Sequence, residues 1–252
     1  MSDILVIDSV VKSFGGLVAL DEVDMNIKGE IINLLIGPNG SGKTTLINVI
    51  TGFYKPDRGR VSFDGEDITG WPPHKTYEKG IVRTFQIPQP FLKLTVLENL
   101  LTSYRHNPGE GFLRAPLRKT WIREEEEALD KAFELLELLS LDHMWDQEAY
   151  KLSGGQMKLL EAGRALMSGA KMIFMDEPAA GINPVLAHEM FSHLRDLKNK
   201  LNVTFLFVEH RLELALQFVD HVYAMSRGKI VSEGTADEVF NDPVVVESYM
   251  GG

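Results

Sequence analysis

The chain has 252 residues, 44% hydrophobic and 25% charged, which is the balance of a folded globular protein and excludes disordered, collagen-like and low-complexity architectures. Its 26 basic and 36 acidic residues leave a formal charge of −10, which argues against a general nucleic-acid coat. The absence of cysteine removes disulfides, thiolate zinc sites, iron–sulfur clusters and cysteine nucleophiles, and fits a reducing compartment. The start, Met1-Ser2-Asp3-Ile4, lacks the basic and apolar stretches of a secretory signal, and no run approaches about 18 apolar residues. Any membrane role is therefore expected to come through a partner.

From Ile4 to Phe63 the pattern predicts short strands, Ile4–Val11, Leu17–Leu20, Val23–Ile27 and Ile31–Ile36, with Arg60–Phe63 as one arm of a hairpin turning at Asp64-Gly65. One helix interrupts them, Lys43–Ile50, with Leu46, Ile47 and Ile50 at helical spacing and Gly52 at its end. A strand is expected over Ile81–Phe85. Prolines at 72, 73, 88 and 90 and a Pro/Gly-rich stretch from Asn107 to Pro116 then change the texture, and Glu124–Leu139 reads as an amphipathic helix whose acidic first turn suits the helix dipole. The stretch from Gln86 to about Leu152 reads as a mostly helical insertion. Beyond Gly154, helix and strand alternate: a helix to Ser168, a strand Met172–Met175, a helix Leu186–Lys198, a strand Val203–Val208, a helix Glu213–Phe218, a small hairpin over Val222–Val231 and a short helix ending near Met250. Such alternation predicts a parallel sheet covered by helices.

The sharpest motif is Gly37-Pro38-Asn39-Gly40-Ser41-Gly42-Lys43-Thr44, followed by Thr45, directly after an apolar strand and opening a helix. Glycines there let backbone N–H groups curl around a polyphosphate at a helix N-terminus, Lys43 reaches the outer phosphates and the Thr44 hydroxyl suits Mg²⁺. A carboxylate for the magnesium shell is expected at the end of a neighbouring strand, and Asp176 fills that role. Glu177, next in sequence, can polarise an attacking water as a general base. These parts are common to kinases, GTPases and ATPases. Leu152-Ser153-Gly154-Gly155-Gln156 separates them, because Ser153 and the paired glycines before a second helix would form a second anion site. A plain helix cap at Ser153 suits the helix but leaves the glycine pair unexplained.

Here the chain resembles, nearly end to end, the ATP-binding subunits of ABC transporters, with Leu152–Gln156 as the signature motif. The resemblance implies a P-loop NTPase fold of RecA-like parallel core, an N-terminal antiparallel β subdomain and an inserted α-helical subdomain. The whole chain would be one nucleotide-binding domain, with 1–86 and 165–252 the catalytic core and 87–164 the helical part. It implies that Gln86 touches Mg²⁺ and the attacking water, that His210 is the switch histidine at the γ-phosphate, and that Phe14 stacks on adenine. Asn183 stands where many relatives carry an aspartate, which puts its part in coupling across the dimer in doubt.

Two such subunits would pack head to tail, each ATP held between Lys43 and Thr44 of one and Ser153, Gly154, Gly155 and Gln156 of the other. Two permease subunits would dock near Ile87–Leu92, placing the chain at the cytoplasmic face of the cell membrane. Within the family, Arg83–Gln86, Leu94–Leu100, the insertion before Trp121, Glu177–Pro184 and Val246–Gly251 resemble the LivG-type subunit of branched-chain amino-acid importers. That subfamily implies a different second ATPase subunit and, indirectly, an extracytoplasmic solute-binding protein, with no nucleic acid. ATPase subunits of urea or amide importers and of lipopolysaccharide-extraction systems are similar alternatives.

Other polar residues read as structural. His188 and His193 mimic a zinc motif with one residue too many, so their rings lie about 140° apart around a helix and cannot share a metal. Arg105, Arg114, Arg118, Lys119 and Arg123 read as solvated scatter, with lipid headgroups or a cytoplasmic loop as the other reading.

Overall fold

The computed structural model describes residues 3–84, 87–105, 121–209 and 211–250. Four strands, β1 (Asp3–Phe14), β2 (Leu17–Lys28), β4 (Arg58–Phe63) and β5 (Glu66–Asp67), form an antiparallel sheet in the order β2-β1-β4-β5. A second sheet has the order β10-β9-β3-β8-β7-β6 and comprises β3 (Ile32–Ile36), β6 (Ile81–Arg83), β7 (Met172–Asp176), β8 (Thr204–Val208), β9 (His221–Ser226) and β10 (Lys229–Gly234). All its pairings are parallel except β9 with β10.

Period-two side-chain alternation splits this sheet between two cores. Ile32, Leu34, Ile36, Ile173, Met175, Phe205, Phe207, Val222 and Ala224 face one core, completed by α3 (Val96–Leu101), α4 (Ile122–Leu138), α5 (Gly154–Met167) and α6 (Pro184–Leu201). Leu35, Met172, Phe174, Leu206, Val208, Tyr223 and Met225 face the other, closed by α1 (Lys43–Ile50) and the antiparallel sheet. Strands β3 and β8 are buried at every position, which is why they read as continuous apolar runs. No helix among the described residues is long and apolar enough to cross a membrane.

Several elements depart from expectation for local reasons. The two segments predicted at Leu17–Leu20 and Val23–Ile27 are one strand, because Glu22 adopts a left-handed conformation and the ladder continues past it. Strand β1 runs on to Phe14 past a similar irregularity at Ser9, whose N–H donates to Asp24 Oδ1 at 2.7 Å. Helix α2 (Pro73–Lys79) was not expected: Pro73 takes the first turn, where its missing N–H costs nothing, and left-handed Gly80 ends it. A Thr95–Glu98 capping box starts α3, and the Asn183 side chain caps α6 by accepting from Leu186 N at 3.0 Å. The helix predicted over Glu213–Phe218 begins as α7 (Leu212–Ala215) and tightens to a 3₁₀ turn, and α8 (Ala236–Phe240) precedes α9 (Pro243–Met250).

Helix α5 runs unbroken from Gly154 to Met167 and ties together distant segments. Its Glu161 accepts from Gln89 N at 3.0 Å, and Arg164 donates to Gln89 O at 3.3 Å. Burial pushes the Glu161 carboxyl above its ordinary range, opposed by the Gln89 hydrogen bond and by Arg164 and Lys158. The folded chain therefore holds this proton more tightly than the unfolded one, and stability is lost as pH rises from the unfolded value through the raised folded one. Glu161→Gln keeps an acceptor for Gln89 and removes the buried charge. It is expected to raise Tm at pH 7 by on the order of a degree or two. The gain should vanish below pH 4, a pattern that thermal melts across pH will check.

Candidate functional site

The turn between β3 and α1 is shaped by close approach. Gly37 has φ 153° and a Cβ there would stand 2.1 Å from Met225 O, while Gly42 has φ 110° and a Cβ there would stand 2.6 Å from Ala19 O. No side chain fits at either position, so the loop lies close against β2 and β9. Lys43 is buried, and its ammonium donates to Gly37 O at 2.7 Å and Pro38 O at 3.0 Å. Burial lowers its pKa, and Asp176 and Glu177 oppose that shift. The cation is thus held by its own loop, facing the carboxylates across the cleft.

Parallel pairing of β7 with β8 sets Asp176 opposite Val208 at the carboxyl end of the sheet, with β8 between it and the end of β3. Asp176 accepts from Arg83 Nη2 at 3.2 Å, and Arg83 Nη1 reaches Asn48 Oδ1 at 2.6 Å, so the strand-end carboxylate is tied to both β6 and α1. Glu177 has φ 47°, a left-handed conformation uncommon away from glycine. Its N–H donates to Val208 O at 2.8 Å, and its carbonyl accepts from Ala180 N at 2.9 Å and from Lys158 Nζ at 2.9 Å. Buried Glu209 holds the following turn by accepting from Ala179 N at 2.6 Å.

Phe14, Asn39, Gly40, Ser41, Gly42, Lys43, Thr44, Thr45, Asp176 and Glu177 all line one open cleft of about 610 Å³. Phe14 is 42% exposed at the rim and meets Tyr54 edge-on at 5.2 Å. The Thr44 hydroxyl and Asp176 carboxylate are hard oxygen donors in this cleft. Two such donors are too few for an all-protein cage and suit an Mg²⁺ that keeps waters and phosphate oxygens in its shell.

Ser153, Gly154, Gly155 and Gln156 do not line that cleft. Ser153 caps α5, accepting from Gln156 N at 3.4 Å while its own N–H donates to Gln156 Oε1 at 2.9 Å. The helix cap is therefore real, and the glycines need another reason. A Cβ at Gly154 would meet nothing within 4 Å and one at Gly155 only Ile182 and Leu186 at 4.0 Å, and neither has a left-handed φ. Packing within this chain does not require them.

Gln86 and His210 lie outside the described residues, as do Arg114, Arg118 and Lys119. Arg105 is not solvated scatter: its guanidinium lies 4.0 Å from the Tyr77 ring centre and donates to Glu78 O at 2.9 Å and to Tyr77 O. Arg123 does remain on the surface, paired with Glu127 at 2.9 Å. The His188 ring packs edge-on against Phe218 at 4.9 Å. Sequence reading assigned no site role to Arg83 or Lys158, whose partners Asp176 and Glu177 are brought to them only by sheet and helix packing.

Residues 20–180 match the profile of the ABC transporter family. The chain belongs to the ABC transporter family. Among its relatives in this family is a probable branched-chain amino acid transport ATP-binding protein LivG of Archaeoglobus fulgidus, 52% identical over 98% of this chain and 95% of that protein. A protein of the same name from Methanocaldococcus jannaschii is 53% identical over 99% of this chain and 98% of its own length. In structure the chain is similar to an ATP-binding cassette of an ABC transporter in its ADP conformation, with TM-score 0.85 and 52% identity over 100% of both chains. The α/β architecture above is that of the ABC ATPase cassette.

Proposed function

We propose that this chain is the ATP-binding and ATP-hydrolysing subunit that powers import of branched-chain amino acids through partner permeases. The observation that carries the ATPase reading is the separation of two half-sites. Phe14, the phosphate loop and Asp176-Glu177 share one cleft, while the Ser153–Gln156 turn lies apart, with Ser153 and Gly154 exposed and a glycine pair that packing within its own chain does not require. The cargo reading rests on the near full-length identity to transport proteins of that name.

In the proposed mechanism the adenine stacks at Phe14 and the phosphates enter among the loop amides. There Lys43 exchanges loop carbonyls for phosphate oxygens. Thr44, Asp176 and Gln86 would hold Mg²⁺, which when bound spreads the negative charge of the transferred phosphoryl group. Glu177 takes a proton from the attacking water as its oxygen adds to the γ-phosphorus, the bond from that phosphorus to the β–γ bridging oxygen breaks and ADP leaves with the electron pair, and His210 meets the γ-phosphate. A second ATPase subunit supplies its Ser153–Gln156 turn to the same nucleotide, with residues 87–164 carrying that turn as a helical subdomain. Closure follows because ATP makes contacts across the two subunits that ADP cannot, and hydrolysis reverses it.

The permeases dock on the segment after Gln86. Ile87, Phe91 and Leu92 are 74%, 52% and 49% exposed, and the backbone at Phe91 is fixed by buried Asn99, which accepts from Phe91 N at 2.8 Å and donates to Phe91 O at 3.0 Å. An apolar surface on a pinned backbone suits recognition. Such docking places the chain at the cytoplasmic face of the membrane, with an extracytoplasmic solute-binding protein delivering the amino acid.

The experiment is the ATPase rate per molecule against protein concentration, with Mg²⁺ and then with reconstituted permeases. The rate should climb with concentration and climb again with permeases. A high rate independent of concentration would mean that one chain is complete by itself, and the two-subunit site would be wrong.

A further inference from the structure

Lys158 is 4% exposed, on the second turn of α5, and a fully buried ammonium is uncommon unless it has a task or a partner. Its Nζ donates at 2.9 Å to the backbone carbonyl of Glu177. That carbonyl belongs to the residue that takes a left-handed φ directly after β7, and whose N–H is tied to β8. Left-handed glutamate is a costly conformation that persists only where its surroundings hold it. Val208 O, Ala180 N and Lys158 Nζ all hold this turn, and Lys158 reaches it from another layer of the molecule.

We propose that Lys158 is a positioning residue for hydrolysis: from the signature helix it fixes the Glu177 peptide and so sets where the Glu177 carboxylate meets the attacking water. This rests on the reading of Glu177 as general base. The charges around the ammonium suit the role. Burial lowers its pKa, and the nearby Glu209, Glu161, Glu177 and Asp176 oppose that shift. The link also has a direction. Ser153 opens the helix that carries Lys158, about 7.5 Å earlier along its axis, so a shift of α5 moves the donor that holds Glu177.

A buried lysine that only stabilises the core would cost Tm and leave chemistry alone, and the test separates the two. The full chain is assayed as Lys158→Met, Lys158→Arg and Glu177→Gln, with kcat, KM for ATP, nucleotide affinity and Tm measured on each. Lys158→Met should lower kcat by tenfold or more with ATP affinity unchanged, and Lys158→Arg, which keeps a donor, should recover most of it. Unchanged kcat in Lys158→Met, an arginine variant as slow as the methionine one, or losses that follow ATP affinity would each overturn the proposal. Lys158→Gln, too short to reach the carbonyl, repeats the comparison if the apolar variant does not fold. Glu177→Gln tells the two ideas apart: parental turnover there removes the general base itself, whereas an inactive Glu177→Gln beside a fully active Lys158→Met removes only the positioning role.

Discussion

Glu177→Gln lowers ATP turnover by about a hundred- to ten-thousandfold while ATP binding changes by less than about twofold, which is the signature expected of a general base. The substitution keeps shape and volume and both backbone hydrogen bonds that hold residue 177, to Val208 O and from Ala180 N. What it removes is the carboxylate that accepts a proton from water. Lys43, whose ammonium sits among Gly37 O and Pro38 O on the other side of the cleft, is untouched, so the phosphates still bind. If the γ-phosphate is what closes two subunits, a chain that binds ATP and cannot cleave it stays closed. Size exclusion with MgATP then shows a stable dimer where the parent shows a transient one. Turnover at the parental rate would assign the base to another residue.

Much of this site was legible in the sequence because its chemistry is local. The phosphate loop is one contiguous turn whose Gly37 and Gly42 are forced by contacts with β9 and β2, and Asp176-Glu177 closes a short apolar run in a stretch where strands alternate with helices, the pattern of a parallel sheet. What escaped reading is non-local or depends on backbone detail. Arg83 and Asp176 are 93 positions apart and meet only because β6 pairs with β7. Lys158 reaches Glu177 across 19 positions through the packing of α5 under the strand ends. The single strand from Leu17 to Lys28 looked broken because one left-handed residue, Glu22, interrupts the alternation without ending the ladder. Helix α2 carried its own signals, Pro73 at its start and Gly80 at its end, but prolines in a row read more readily as a loop. Asn183 shows the reverse case. Read as a weakened dimer contact, it has a sufficient local task as the cap of α6.

Ser153→Arg is the complementary expectation, because it should damage a nucleotide site that its own chain does not line. Ser153 is exposed and absent from the cleft of Phe14, Lys43 and Glu177, so the variant chain binds ATP within about twofold of the parent. Loss of the serine cap costs α5 about 1 kcal/mol, which a small drop in Tm registers. Turnover falls far more, by about a hundredfold or beyond, since a bulky cation now stands where the opposite subunit's phosphates must approach the glycine pair. Lost ATP binding in the variant monomer would sink the two-subunit site. Where the chain pairs with itself, a sharper consequence follows. In a mixed dimer of Ser153→Arg and Glu177→Gln chains, one site combines both lesions, but the other combines an intact Glu177 with an intact Ser153. Mixing two inactive proteins should therefore restore turnover, and no arrangement in which each chain completes its own site can produce that result.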